Sequence, residues 1–443
     1  KNFLYLTLTG RNDFSSTLPK DNNSFFYPSA SLAFVFTELL PDKHAGPLTF
    51  GKLRASVAQV GKDALPYSLY PALEAQGTTG GGYSYGFTAP NPFLRPEKVT
   101  SKEIGLELQF FKNRLGFDGA YYKSKSVDQI INGLRISYGT GFILKNVNAG
   151  EAENWGTELL VRGTPIQKTN FTWDISVNFT KTDSKLIQLG AGIPEFYSSD
   201  TWLFGNVRNG SRVGNTLTTF TAQFSFDRNN NGDILISPST GLPLQINNAS
   251  WPVAGDRNPD FMMGITNRLN YKGLGFSFLW DIRKGGDVYN ATGYYLYSRG
   301  LHPAAIKDRE SFIVYPGILK DGLENTSNPT KNNITINPYY NNAYYGANIL
   351  DQEFIERDVN WVRLRDVSLS YELPRKLVST TRLFKRISVG VSGTDLLLFT
   401  NYTGGDPGSN AVTAATGGSG GSGFDFGALP VSKRYNFTLR TTF

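Results

Sequence analysis

The chain ends on a strand pattern, and that ending constrains the fold more than any other feature. Residues 433–443 read Lys-Arg-Tyr-Asn-Phe-Thr-Leu-Arg-Thr-Thr-Phe. Side chains of a strand alternate between two faces. Tyr435, Phe437, Leu439 and Phe443 therefore share one face, and Arg434, Asn436, Thr438, Arg440 and Thr442 share the other. A final amphipathic strand that stops on Phe is how a bacterial outer-membrane barrel closes, with its apolar face to lipid and its polar face to a wet lumen. A soluble sandwich shows the same alternation, so other features must decide.

The same alternation recurs upstream. Ile104, Leu106, Leu108 and Phe110 alternate with Glu103, Gly105, Glu107 and Gln109. Trp173, Ile175, Val177 and Phe179 alternate with Asp174, Ser176 and Asn178, and Phe276, Phe278, Trp280 and Ile282 form a third series. The pattern predicts about twelve strands, near 2–11, 25–38, 48–61, 98–112, 114–127, 149–163, 169–183, 259–271, 274–283, 359–373, 386–398 and 432–443. Their connections alternate strictly. The long ones are 12–24, 62–97, 128–148, 184–258, 284–358 and 399–431. The short ones are 39–47, Asn113, 164–168, 272–273 and 374–385. A multi-domain soluble β-protein has no reason to gather its long loops at one end. A transmembrane β-barrel does, with short periplasmic turns and long external loops. The expected fold is all-β: an antiparallel transmembrane barrel whose last residue, Phe443, is periplasmic.

Composition agrees where it is informative. Of 443 residues, 14% are aromatic and 18% charged, a balance that suits aromatic girdles. No run of 18 apolar residues offers a transmembrane helix. There is no Cys, which excludes disulfides and thiol catalysis in this chain, and the two His, His44 and His302, do not suggest a metal relay. The net charge is +7, yet Lys and Arg form no basic block, so nucleic acid is not an expected partner. Strand pattern begins almost at Lys1 without a leader, so the expectation is a segment of a longer protein.

Several ordered phrases resemble one family. They are Gly10-Arg-Asn-Asp-Phe-Ser-Ser-Thr17 with Phe26-Tyr-Pro-Ser-Ala-Ser31, Leu94-Arg-Pro-Glu-Lys98 with Glu103-Ile-Gly-Leu-Glu107, and Glu151-Ala-Glu-Asn-Trp-Gly-Thr-Glu158. Arg257-Asn-Pro-Asp-Phe261, Gly285-Gly-Asp-Val-Tyr-Asn290, Asn360 to Tyr371, and Gly393 to Tyr402 with Asp406-Pro407 continue the series. Together they resemble the SusC/RagA family of TonB-linked outer-membrane transporters. The resemblance implies a barrel of about 22 strands with a plugged lumen. This chain would supply the carboxyl-terminal part, and the plug domain and first strands would lie outside it. It also implies import of a bulky nutrient, a glycan or a peptide, under a SusD-like surface lipoprotein. TonB would act through the missing amino-terminal part, and transporter–lipoprotein pairs would form dimers. The alternative is a structural or accessory barrel within a larger outer-membrane assembly.

Candidate site residues lie in the predicted loops. Tyr294, Tyr295 and Tyr297, then Tyr339, Tyr340, Tyr344 and Tyr345, offer flat apolar rings with a hydroxyl, suited to a substrate or a protein partner. Tyr83 and Tyr85 form a smaller group, and packing between loops is the competing role. Asp227, Asn229, Asn231 and Asp233 space oxygen atoms like the start of a Ca²⁺ loop, with Gly232 at the turn. Position twelve is Pro238 rather than Glu, which leaves an Asx-rich turn as the other reading. Residues 416–423 read as a flexible loop tip. His302 near Asp308 and Ser311 has no nucleophile-elbow context, so no enzyme activity is expected.

Overall fold

The computed structural model describes residues 3–443 except 41–45, 72, 76, 78–79, 191, 198–205, 307–308, 342, 348, 381–382 and 409–420. Twelve strands follow one another as antiparallel neighbours in chain order. They are β1 (Leu4–Phe14), β2 (Ser24–Phe34), β3 (Leu48–Lys62), β4 (Glu97–Phe110), β5 (Leu115–Arg135) and β6 (Leu144–Lys168). Then come β7 (Phe171–Leu189), β8 (Phe261–Tyr271), β9 (Leu274–Lys284), β10 (Trp361–Glu372), β11 (Arg386–Thr400) and β12 (Arg434–Thr442). A two-residue strand, Thr88–Ala89, adds in parallel beside β6. Among the described residues β1 and β12 do not pair with each other, so the wall is open between them.

Register gives the wall two unlike faces. Residues directly opposite in an antiparallel pair point to the same side. One such row runs Leu4, Phe34, Leu53, Leu106, Gly119, Leu159, Phe179, Met263, Ile282, Val362 and Phe399 across eleven strands. Every member is apolar or Gly. A second row on the same face links Trp173, Leu269, Phe276, Leu369, Val391 and Phe437. This is the face that hydrocarbon requires. Asn267 interrupts it opposite Ile175, but the Trp173 indole N–H donates to its Oδ1 at 3.0 Å, so its carbonyl is satisfied.

The other face is charged. Lys52 meets Glu107 at 2.5 Å, and Arg54 reaches Asp118 at 2.7 Å and Glu103 at 3.3 Å. Arg365 spans Asp281 at 2.5 Å and Asp395 at 2.8 Å. Asp174 lies opposite Arg268, and Asn178 opposite Gly264. Paired charges of this kind suit a hydrated lumen, where lipid never reaches them.

The predicted alternation of loops holds from β3 onward but not before it: β1 runs to Phe14 and β2 stops at Phe34, so the β1–β2 connection, 15–23, is shorter than the β2–β3 connection, 35–47, which carries a 3-10 turn at Phe36–Leu39. The β8–β9 turn is Lys272-Gly273, both with positive φ (43° and 87°), the two-residue hairpin geometry that Gly favours. On the same end lie the β4–β5, β6–β7 and β10–β11 connections, and Phe443, whose ring packs on Phe384 at 5.0 Å. The 128–148 segment, expected as a loop, is mostly hairpin: β5 and β6 run 21 and 25 residues and leave 136–143 between them. Likewise 164–168 is strand, and the turn is 169–170. A strand needs only about 9–11 residues to cross hydrocarbon. The extra length of β5, β6 and β7 therefore stands outside it, where water imposes no apolar alternation. Bulges after Ser126 and Ile131 further blur the pattern there.

Candidate functional site: the external loop unit above the wall

Three long loops, 190–260, 285–360 and 401–433, fold together beyond the wall. Their junction is a short three-stranded sheet in which Val288–Asn290 lies between Ile355–Glu356 and Phe424–Asp425. Tyr289 and Phe424 are fully buried there, with edge-on rings 5.2 Å apart, and Phe220 meets Phe424 at 5.4 Å. Val207, Ala222, Ala254, Ala291 and Ile355 complete the cluster.

Polar side chains fix the edges of this unit. Asn290 caps the helix α1 (Ala291–Ser298) by accepting from the Gly293 N–H at 2.7 Å, and its Nδ2 donates to Glu356 at 2.9 Å. Asp287 accepts from the Asp256 N–H and from Arg357, each at 2.8 Å. Gly286, at φ 85°, lets Arg283 reach the Arg257 carbonyl at 2.6 Å; a Cβ there would lie 2.6 Å from that carbonyl oxygen. The last loop is tied to the wall by Arg363, which donates to both oxygens of Asp406 at 3.0 and 2.5 Å. The Tyr402 hydroxyl donates to Asp425 at 2.7 Å, and burial followed by that carboxylate pushes its pKa above the usual tyrosine value. Thus the phrases Arg257–Phe261, Gly285–Asn290 and Asp406-Pro407 are joints of one scaffold. Their Gly pair and Asp residues were the signal; the sequence did not reveal which Arg each would meet.

The candidate tyrosines fall into two groups. Tyr297 and Tyr344 are buried, and Tyr294 and Tyr345 half-buried. Tyr297 packs on Phe354, Tyr345 and His302, so these rings hold the loop together. Tyr295, Tyr339 and Tyr340 are exposed, the last two stacked edge-on at 4.9 Å. Tyr83 and Tyr85 are exposed on a separate hairpin.

The acidic turn is internally occupied. Asp227 pairs with Lys320 at 2.7 Å. Asn229 Oδ1 accepts from the N–H groups of Asn231 and Asp233 at 3.0 and 2.8 Å, and its Nδ2 donates to Asp233 and to the Glu324 carbonyl at 3.1 Å. This is Asx-turn geometry. Among the described residues no three His, Cys, Asp or Glu side chains gather as a metal cluster. His302 accepts from the Ala304 N–H and stacks on Phe354, while Asp308, His44 and residues 416–420 lie outside the described residues.

A concavity of about 520 Å³ opens near the short-turn end of the wall, between Arg114, Arg162, Asp174 and Arg268. Arg162, Asp174 and Arg268 stand on the charged face, opposite Ser176, Arg268 and Asp174 respectively.

A sheet with one lipid-ready face, one ion-paired face and its long loops at one end defines an outer-membrane β-barrel wall. Residues 3–392 match the family described as TonB dependent receptor-like, beta-barrel, and the chain belongs to that family. Its members are receptors and transporters of the Gram-negative outer membrane rather than enzymes. TonB-dependent receptors P3 and P26 of Formosa agariphila are 26% and 28% identical, each aligned with 99% of this chain. TonB-dependent receptor SusC of Bacteroides thetaiotaomicron is 30% identical across 61% of the chain and 29% of its own length. The RagAB peptide transporter shares the fold at a TM-score of 0.75 and 20% identity, covering 100% of this chain and 46% of its own. The SusC likeness expected from the sequence is met at 30% identity over 61% of the chain, and the RagA likeness in fold. The chain spans 44% of the length of the P3 and P26 receptors.

Proposed function

We propose that this wall and loop unit belong to a TonB-dependent importer for a bulky nutrient, an oligosaccharide or a peptide. The carrying observation is the co-folding of three long loops into one packed unit above an ion-paired wall. Such a unit can hold a fixed binding surface at the mouth of the barrel. The names of the relatives agree in class: one similar structure is a peptide transporter. Tyr295, Tyr339 and Tyr340 are the candidate tyrosines this unit leaves in water, so they are the tyrosines to contact substrate or a SusD-like lipoprotein lid. Energy would reach the barrel from TonB through the part of the protein amino-terminal to this chain. The open edges at β1 and β12 support further strands, because unpaired backbone in hydrocarbon costs several kcal/mol per group. Transporter–lipoprotein pairs could then associate as dimers.

The test is uptake by whole cells. Loss of the full-length gene should abolish import of defined oligosaccharide or peptide mixtures, and loss of TonB should do the same. Import that persists without either would assign the barrel a structural role.

A further inference from the structure

The concavity at the short-turn end of the wall sits at a break in the strand ladder. Between the pairs Trp173–Ile166 and Ile175–Gly163, one residue of β7, Asp174, faces two of β6, Thr164 and Pro165. Such a bulge re-aims side chains, and Pro165 has no N–H to offer the ladder. The Thr164 hydroxyl donates to Asp174 at 2.7 Å. Arg114, in the β4–β5 turn, is pinned across the same break by the carbonyls of Thr164 and Pro165 at 3.0 and 2.8 Å. Register then adds two guanidinium groups on the inward face. Arg162, Ser176 and Thr266 form one row across β6, β7 and β8, and Asp174 and Arg268 form the next. Gly116, opposite Arg162 on β5, leaves open space where a side chain would stand. The volume, about 520 Å³, lies in the range of small-molecule sites.

The charges of this concavity do not balance. Three guanidinium groups line it against one carboxylate, and that carboxylate is already engaged by Thr164. Elsewhere on the inward face Lys52, Arg54 and Arg365 each meet a Glu or an Asp. Arg162 and Arg268 have no acidic side chain within ion-pair distance among the described residues, although Arg268 lies opposite Asp174 in register. Both are exposed. A guanidinium presents a planar fork of donors that fits a carboxylate through two parallel hydrogen bonds. Two such forks beside the hydroxyl groups of Ser176 and Thr266 fit an anionic, hydrogen-bonding ligand and offer a neutral one much less.

We propose that this concavity binds a carboxylate group of the cargo at the periplasmic end of the lumen. Arg162 and Arg268 hold the carboxylate, Arg114 adds its charge from the turn, and Ser176 and Thr266 take neighbouring polar groups. The proposal rests on the import reading above and narrows it to carboxylate-bearing cargo, an oligouronide or an acidic peptide.

Titration calorimetry of the full-length protein in detergent tests it, with trigalacturonate, its trimethyl ester and triglutamate as probes. At least one of the two acids should bind, and the one that binds more tightly names the source of the carboxylate. The uncharged ester should bind more weakly than trigalacturonate if the uronate is that source, and not at all if the peptide is. Arg162→Gln/Arg268→Gln should weaken the preferred acid on the order of 100-fold, as expected for two lost charge-assisted contacts. Lys168→Gln/Lys272→Gln removes the same charge from the same end of the wall and should leave binding unchanged. Heat-modifiable mobility on a gel checks that each variant is folded. An ester that binds as tightly as the acids, equal weakening by the lysine pair, or a folded arginine variant that binds like the parent would overturn the proposal. Failure of both acids to bind the parent would overturn it too; a lowered melting temperature of the arginine variant would then place a carboxylate of the protein's own amino-terminal part in the concavity. Uptake by cells keeps the two readings apart. Acid binding as expected without TonB-dependent uptake would remove the importer and keep the site. TonB-dependent uptake of the ester by parent and arginine variant alike, with no acid bound, would keep the importer and remove the site.

Discussion

Arg363 and Asp406 form a two-pronged ion pair whose side chains are 4% and 3% exposed. It joins β10 to the loop that follows β11, so one buried pair sets where the last external loop sits. Breaking such a pair leaves a buried charge alone, at a cost of about 3–5 kcal/mol. Asp406→Ala should therefore release the loop around 401–433 while the wall stays assembled. Limited proteolysis of intact cells would show new cleavage in that loop, with heat-modifiable mobility retained. A loop as protected as the parent's would show that the pair does not anchor it.

Gly286 makes a second, independent joint. Its positive φ and the absence of a Cβ let Arg283 and Arg257 meet. Gly286→Val combines backbone strain of about 1–3 kcal/mol with a steric conflict. Hydrogen exchange should accelerate in 253–260 and 285–290 and remain slow in β9 below Ile282. Unchanged exchange in both loops would contradict this account.

The two tyrosine groups should separate by mutation. Tyr297→Ala removes a buried ring, a loss of about 3–5 kcal/mol for large aromatics. It should raise protease sensitivity of 291–306 and 344–354. Tyr339→Ser/Tyr340→Ser should leave proteolysis unchanged but reduce co-purification of an external lipoprotein. Deletion of 325–345 should release that partner fully. A partner retained at full stoichiometry would show that this surface is not its dock.

The lipid face is testable one residue at a time. Val177 belongs to the outward row Val161, Val177, Ile265, Trp280, Leu364 and Leu397, whereas Asn178 faces inward. Val177→Arg should cost about 2–4 kcal/mol at mid-bilayer, and Asn178→Arg much less. Assembly yield in outer membranes compares them; the opposite ranking would invert the faces.

The wall was legible in the sequence because hydrocarbon enforces alternation residue by residue. Trp173 to Phe179 keep a period of two throughout, Phe276 to Ile282 depart from it only at Leu279, and the alternation predicts β9 to within a residue of its observed end. Beyond the bilayer that constraint lapses. Residues 127–135 mix Asp, Asn, Gly and Ile, and three register shifts interrupt their pairing with β6, so the alternation that marks a strand is lost there. The external site was less legible still. Tyrosine spacing gives no information on burial, so Tyr297 in the core and Tyr340 in water look alike. The Arg363–Asp406 joint spans 43 residues of chain, and neither partner's neighbours in sequence signal the other.

Membrane orientation underlies every reading above, and cysteine labelling measures it most directly. This chain contains no Cys. Asn247→Cys lies exposed in the loop between β7 and β8, and Lys272→Cys lies in the two-residue β8–β9 turn. In the full-length protein on intact cells, a membrane-impermeant maleimide should label Asn247→Cys. Lys272→Cys should react only after the outer membrane is opened. Labelling of Lys272→Cys on intact cells with Asn247→Cys protected would reverse the wall and contradict the account.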